Sequence, residues 1–386
     1  MSSIYLTDSG TPIINRTVDL LDRGLLEGIL LNPFATPRRA DMTSRSGRAR
    51  QGVERCVAEI TAANGRVLLD VQTHAVDFPG ANNFARYNDW RLWAGNRGDL
   101  STAALRQAHV DRVVAIQSTL DLDVLGPTVR LEQPTGGRAT TAFDLASRTL
   151  DADDTAWLTL AGTSAFWATG AALDAYVGRL AQLRPAGFVL VVARPAIGCP
   201  APGVTAEEVE GLCRTVRSLS VRVPVVVSHG DLAALPAMAA GATGLGTGWD
   251  LRQRVLGADA YQISTTIRRR GSRITHGGLL AVLKRREAEA LRVRDAALSR
   301  QLVPGAHPTG GPAEWEHHVT LLNTVVNQIT SRPAGRARAH EIQKLYSAAD
   351  GAFRRVEGLI RVQFGRAVWL DEVRDGVDRY AKAEGW

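Results

Sequence analysis

The side chains able to do chemistry fall in short polar strings that close runs of β-branched and aliphatic residues. Asp8 ends SIYLTD (3–8), and Asn32 sits in EGILLNP (27–33), with Arg38 further along. Asp70, Gln72 and His74 alternate through RVLLDVQTH (66–74). Gln117 ends RVVAIQ (112–117), Thr163 and Ser164 follow AWLTLAG (156–162), and Arg194 follows GFVLVVA (187–193). Ser228 and His229 end VPVVVSH (223–229). Trp249, Asp250 and Arg252 follow ATGLGTG (242–248). Imidazoles and carboxylates can exchange protons near neutral pH, and guanidinium groups grip anions. Asp70, His229, Asp250 and Asp8 are therefore the candidate acid/base residues. Asn32, Gln72, His74, Gln117, Arg194, Gly246, Gly248, Trp249 and Arg252 are the candidate ligand contacts.

Each has a plainer reading. Asp70 alternates with Val71 and can be a satisfied polar residue of an interior layer. His229 can be a helix-terminus residue, and Asp250 can cap the helix that begins at LRQR. In GATGLGTGWDLRQR (241–254), Gly246 and Gly248 free the backbone to approach an anion that Arg252 or Arg254 would neutralise. The alternative is a tight turn bearing surface arginines.

Several chemistries are excluded. Lys284, Lys344 and Lys382 are the only lysines, so no Schiff-base lysine precedes residue 284. This removes a likeness of GILLNP to the strand of transaldolase-type aldolases. Cys56, Cys199 and Cys213 are scattered, lack zinc-ligand spacing and fit buried small hydrophobes in a reducing cytoplasm. In EWEHH, His317 and His318 are adjacent and point apart on a helix, so a solvated helix start is expected, not a metal motif. There is no Walker loop and no G-x-S-x-G elbow. No cofactor or metal is implied.

These strings need a scaffold that gathers them. The runs at 3–8, 27–33, 66–72, 112–117, 156–162, 187–193, 223–229 and 242–248 are continuous, as in strands covered on both faces. Helical patterns lie between them. One is AEEVEGLCRTVRSL (206–219), opened by a Thr205/Glu208 capping box. Eight strands in about 250 residues predict an α/β fold, a closed (β/α)8 TIM-like barrel over 1–261. Its C-terminal rim would gather all the strings, and Asp8, Asp70, His229 and Asp250 should share one cavity. TVRLEQ (128–133) is a competing choice of strand. The alternative, a doubly wound sheet, usually opens with a glycine-rich turn, whereas DSGTP holds one glycine.

Residues 262–386 predict a basic helical region packed on or beside the barrel. Residues 1–250 carry 23 Arg against 25 acids, net −2; residues 251–386 carry 23 Lys+Arg against 14 acids, net +9. IRRRGSR (267–273), KRREAEALRVR (284–294) and RPAGRARAH (332–340) could meet a phosphate backbone or form a solvated face. The long segment 73–111 interleaves Phe78, Phe84, Tyr87, Trp90 and Trp93 with arginines, and reads as a lid or binding platform. The N-terminus has no secretion signal and no apolar run spans a membrane, so a cytoplasmic setting without membrane contact is expected.

TDSG in the first strand, with an Asp after the eighth, resembles base-exchange transglycosylases of the tRNA-guanine type. However, TDSG falls at the very start here and that family's cysteine-rich zinc site is missing, so the chain is not assigned to it. Three functions stay open. The first is a barrel enzyme acting on a small anionic ligand, phosphorylated or nucleotide-like. The second is a nucleic-acid-binding or base-modifying protein that uses the basic helices and segment 73–111. The third is a non-catalytic barrel scaffold. The oligomeric state is not written in the sequence.

Overall fold

The computed structural model describes residues 3–7, 14–39, 52–262 and 272–386. Its strands are β1 (Ile4–Thr7), β2 (Gly28–Leu31), β3 (Arg66–Leu69), β4 (Leu125–Gly126), β5 (Trp157–Thr163), β6 (Gly187–Arg194), β7 (Val225–Ser228) and β8 (Gly244–Thr247). They pair in parallel in the order β3-β2-β1-β8-β7-β6-β5-β4. The first strand thus lies between the second and the last, and the sheet curls nearly into a ring, with helices in the crossovers. This is a TIM-barrel-like fold, as the run pattern predicts. β1, β2, β6, β7 and β8 are buried along their whole length, which is why they read as unbroken aliphatic runs.

The fourth strand is not where the sequence pattern puts it. RVVAIQ (112–117) lies inside the helix Ala103–Thr119. Thr102 caps that helix by accepting from the Leu105 amide at 3.2 Å, and His109, Val110, Val113 and Gln117 form its buried face. Helical spacing and a cap override the β preference of the isolated run. β4 follows instead, and beyond it Leu131, in the competing TVRLEQ, bridges Gly162 of β5. The remaining gap in the ring, between β3 and β4, is spanned by the long excursion 73–111 and this helix.

Contacts across the ring identify its interior. The Arg66 guanidinium of β3 lies 4.2 Å over the Trp157 ring of β5. A Cβ on Gly244 of β8 would come within 2.7 Å of the Tyr5 ring. Tyr5, Gly28 and Arg66 are register partners, so they share this inner face near the N-terminal ends of their strands. Side chains repeat every second residue. Asn32 and Asp70, each four residues beyond Gly28 and Arg66, therefore face the interior at the opposite rim. The Asp70 amide donates to Leu31 O at 2.9 Å and carries the ladder that far.

The C-terminal region is less purely helical than expected. Within the run that opens GGLLAVLK, a hairpin of β10 (Arg273–His276) and β11 (Ala281–Lys284) precedes the helix Arg285–Arg294. Leu256–Gly257 (β9) adds a short parallel pairing to β6. The helices Gly311–Thr330, Arg336–Leu359 and Glu372–Ala383 bury one face each against the barrel's outer helices Ala206–Ser220 and Leu235–Ala240. The approach is close: a Cβ on Gly376 would lie 2.5 Å from Val209 Cβ. All three cysteines are buried, and burial pushes the Cys56 thiol up to about 12 and Cys199 up to about 11. No described helix is long and apolar enough to cross a membrane.

Candidate active site

The rim at β2, β3 and β7 brings Asn32, Asp70, His74 and His229 into one buried neighbourhood. Asn32 follows β2, and its Oδ1 accepts from the Phe34 and Ala35 amides at 2.9 and 3.0 Å. That turn fixes the side chain and leaves its Nδ2, buried, without a partner. Asp70 uses Oδ1 to accept from the Gln72 amide at 2.8 Å. Gln72 has φ +48°, and its Oε1 accepts from the Tyr261 hydroxyl at 2.6 Å. This left-handed residue turns the chain into the short 3-10 segment Thr73–Ala75, which returns His74 toward Asp70.

His74 Nε2 lies 3.8 Å from Asp70 Oδ2, beyond hydrogen-bond reach. Both His74 nitrogens and Asp70 Oδ2 are buried without partners. An unmet buried polar atom costs about 1–3 kcal/mol, so such a group marks a tolerated cost. Burial lowers the His74 pKa; Asp70 opposes this, while His229 and Arg130 add to it. His74 is therefore neutral near pH 7 and able to accept a proton. His229 follows β7 at φ +51°, with Nδ1 2.8 Å from Ser228 Oγ. A left-handed backbone at two rim residues that are not glycine is strain of the kind concentrated at functional sites.

His109 braces this turn from outside. Its Nε2 lies 2.8 Å from Thr73 Oγ1 and its Nδ1 2.8 Å from Leu92 O, while Trp93 stacks on the ring at 4.1 Å. Burial pushes its pKa down to about 4. The neutral ring therefore donates from Nδ1 and accepts at Nε2.

A second imidazole–carboxylate pair lies nearby and is fully partnered. His318 Nε2 faces Asp231 Oδ1 at 3.0 Å and Thr247 Oγ1 at 3.1 Å, and its Nδ1 lies 2.8 Å from Thr275 Oγ1. Arg254 approaches Asp231 at 3.9 Å and donates from Nε to Gly248 O at 3.0 Å. Burial pushes the Asp231 carboxyl up, but His318 and Arg254 outweigh it and hold it below its ordinary range. Burial and Arg254 keep His318 neutral. The solvated helix start expected at EWEHH is thus overturned for His318, which is buried because its helix lies across the barrel rim.

Other expected residues hold the scaffold. Asp250 is exposed and caps the helix Leu251–Arg254, accepting from the Arg252 amide at 2.7 Å. Gln253 Oε1 takes the Trp249 and Asp250 amides at 2.5 and 3.0 Å. The amides expected to cradle an anion after Gly246 and Gly248 are thus occupied by the chain's own side chains. Trp249 is buried against Trp315, and Arg252 is exposed. Arg194 is neutralised by a bidentate pair with Glu208, both bonds 2.5 Å. Gln117 clamps β4, accepting from Leu125 N at 2.9 Å and donating to Leu125 O at 3.1 Å. Asp8 lies outside the described residues. Of the four acid/base candidates, Asp70 and His229 are both placed beside His74, and all three are buried.

Three residues at the rim escaped the sequence reading. Asp231 and His318 were hidden because their partners are 87 positions apart. Arg130 was hidden by the misplaced fourth strand, since TVRLEQ carries it to the rim. Its Nε is buried without a partner, its guanidinium lies 4.7 Å over Phe78, and Asp77 is 3.8 Å away. The aromatics of segment 73–111 mostly form core. Phe78 and Tyr87 pack with Phe34, Phe84 and Tyr261, and Trp90 is buried with its Nε1 donating to Thr36 O at 3.2 Å. Among the described residues, no group of three or more His, Cys, Asp or Glu side chains is placed to hold a metal.

No family model and no curated protein matches the chain. Among solved structures, a psychrophilic glycoside hydrolase family 10 endo-beta-1,4-xylanase is similar over 62% of this chain and 81% of that one, at 13% identity and a TM-score of 0.38. A probable tagatose 6 phosphate kinase from Sinorhizobium meliloti 1021 is similar over 99% and 100%, at 14% identity and a TM-score of 0.35. Likenesses at this level carry no argument about function.

Proposed function

We propose that the chain is a barrel enzyme whose proton-transfer centre is Asp70 with His74, aided by His229, acting on a small anionic ligand of the phosphorylated or nucleotide-like class. One observation carries the reading: Asp70 Oδ2 and His74 Nε2 are buried 3.8 Å apart with neither atom bonded. A substrate hydroxyl or N–H entering that gap would bond to one or both atoms. Neutral His74 would take the proton, and Asp70 would stabilise the imidazolium formed. Asn32 Nδ2 supplies a fixed donor beside them. Arg130, a guanidinium that acts on His74, supplies the positive charge for an anion in place of Arg194 and Arg252.

The test is a thermal-shift screen against phosphorylated metabolites and nucleotides. A ligand at 100 times its Kd adds about 2.7 kcal/mol to the native state. The expected hit raises Tm in the wild type, loses that shift in Arg130→Ala, and is turned over about 100- to 10,000-fold more slowly by His74→Gln. A hit whose shift and turnover are unchanged in Arg130→Ala, His74→Gln and Asp70→Asn ends the reading.

A further inference from the structure

The net charge of the chain points to its last third, yet a cluster of arginines also lies elsewhere. In the C-terminal helices about half of the described arginines are matched, among them Arg285 with Glu314, Arg332 with Glu341, Arg366 with Asp350 and Asp371, and Arg379 with Glu207 and Asp375. The N-terminal part holds an open groove lined, among the described residues, by Arg38, Arg39, Arg86, Arg91 and Arg112, with Glu54 and Asp89 as the acids. Arg38 pairs with Glu54 at 3.2 Å, and Glu54 is itself largely exposed. Arg39 and Arg91 are exposed and have no ion pair among the described residues. Arg112 is held by carbonyl oxygens, donating to Arg91 O at 3.1 Å and to Trp93 O, so its charge is positioned but not neutralised.

The groove is the seam between the loops after β2 and β3. Trp90 Nε1 donating to Thr36 O ties those loops together. The same loops carry Asn32, Asp70 and His74 to the rim. We infer that this seam binds the phosphodiester backbone of a nucleic-acid strand, and that the rim's substrate is a nucleotide within that strand. The second half of this inference rests on the proposed function; the first does not. A row of guanidinium groups along an open groove suits successive phosphates better than one compact anion. No ring of the packed aromatic cluster is needed for stacking. A base would reach the buried centre only when unstacked, which favours a single strand.

The experiment is fluorescence anisotropy of a labelled short single-stranded oligonucleotide with the full chain. With about four phosphate contacts, affinity should fall roughly 50-fold between about 50 and 200 mM salt. The double variant Arg39→Glu/Arg91→Glu should weaken binding at least about 10-fold and reduce the log–log salt slope by about 1.4. A control with the same charge change on the C-terminal helices, Arg286→Glu/Arg300→Glu, should bind as the wild type does. Equal loss in both double variants overturns the inference, as does a wild type that ignores the oligonucleotide but binds phosphatidylserine vesicles. The rim reading is judged separately, by whether the groove variant keeps the melting shift given by a free nucleotide.

Discussion

Two imidazole–carboxylate pairs stand at the same end of this barrel and are built in opposite ways. Asp231 and His318 touch at 3.0 Å, with Thr247 and Thr275 bonded to the imidazole and the Arg254 guanidinium 3.9 Å from the carboxylate. Asp70 and His74 stand 3.8 Å apart with their facing atoms unbonded. The residue types are the same and both pairs are buried. The difference lies in what each pair has left to give. A satisfied pair joins the C-terminal helix Gly311–Thr330 to the barrel; an unsatisfied one can bond something that arrives later. Pairing state, more than residue identity or burial, separates a structural pair from a reactive one.

The largest expected effect tests that distinction directly. Asp231→Ala leaves Arg254 and His318 buried without their carboxylate and should cost about 3–5 kcal/mol in urea unfolding. Asp70→Asn should change stability by less than about 1 kcal/mol, because no hydrogen bond to Oδ2 is lost. Equal losses would erase the contrast.

The pH dependence sharpens the comparison. His74, His109, His276 and His318 all have folded pKa values below the ordinary 6.5, with His109 and His276 at about 4. Below 6.5 the unfolded chain takes up protons that the folded chain refuses. Stability is therefore fully present above 6.5 and declines as pH falls toward 4, measured as a falling urea midpoint. The acidic limb of the pH–rate profile should likewise lie below 6.5. In Asp70→Asn, which loses the carboxylate that supports the His74 imidazolium, the limb should move lower still. A limb at or above 6.5 would remove His74 as the base.

The smallest effect concerns Asp250, the rim residue that caps a helix. Asp250→Ala should cost about 1 kcal/mol through the lost cap and leave turnover and ligand-induced melting shifts unchanged. A loss of turnover there would return Asp250 to the site.

Much of this was legible in the chain. Seven of the eight strand runs fall on strands, because buried parallel strands must be aliphatic throughout. Asp70, His74, His229 and Asn32 were legible because rim residues follow such runs. Gln117 and Arg130 changed places because RVVAIQ satisfies a strand pattern and a helix pattern equally over six residues, and the cap at Thr102 with the buried face from His109 to Gln117 resolves it only over seventeen. Arg194 read as an anion clamp because its partner Glu208, fourteen positions away, reads equally well as part of a capping box.

The sequence alone determined the barrel, since the period and burial of apolar runs are local properties that survive any arrangement of the ends. It also determined which polar residues follow the strands onto the rim. The tertiary structure decided which of those residues are occupied and which remain open. Hydrogen-bond partners are chosen in space: Gln253 fills the amides after Gly248, His318 completes Asp231, and among the described residues no partner meets Asp70 Oδ2 or His74.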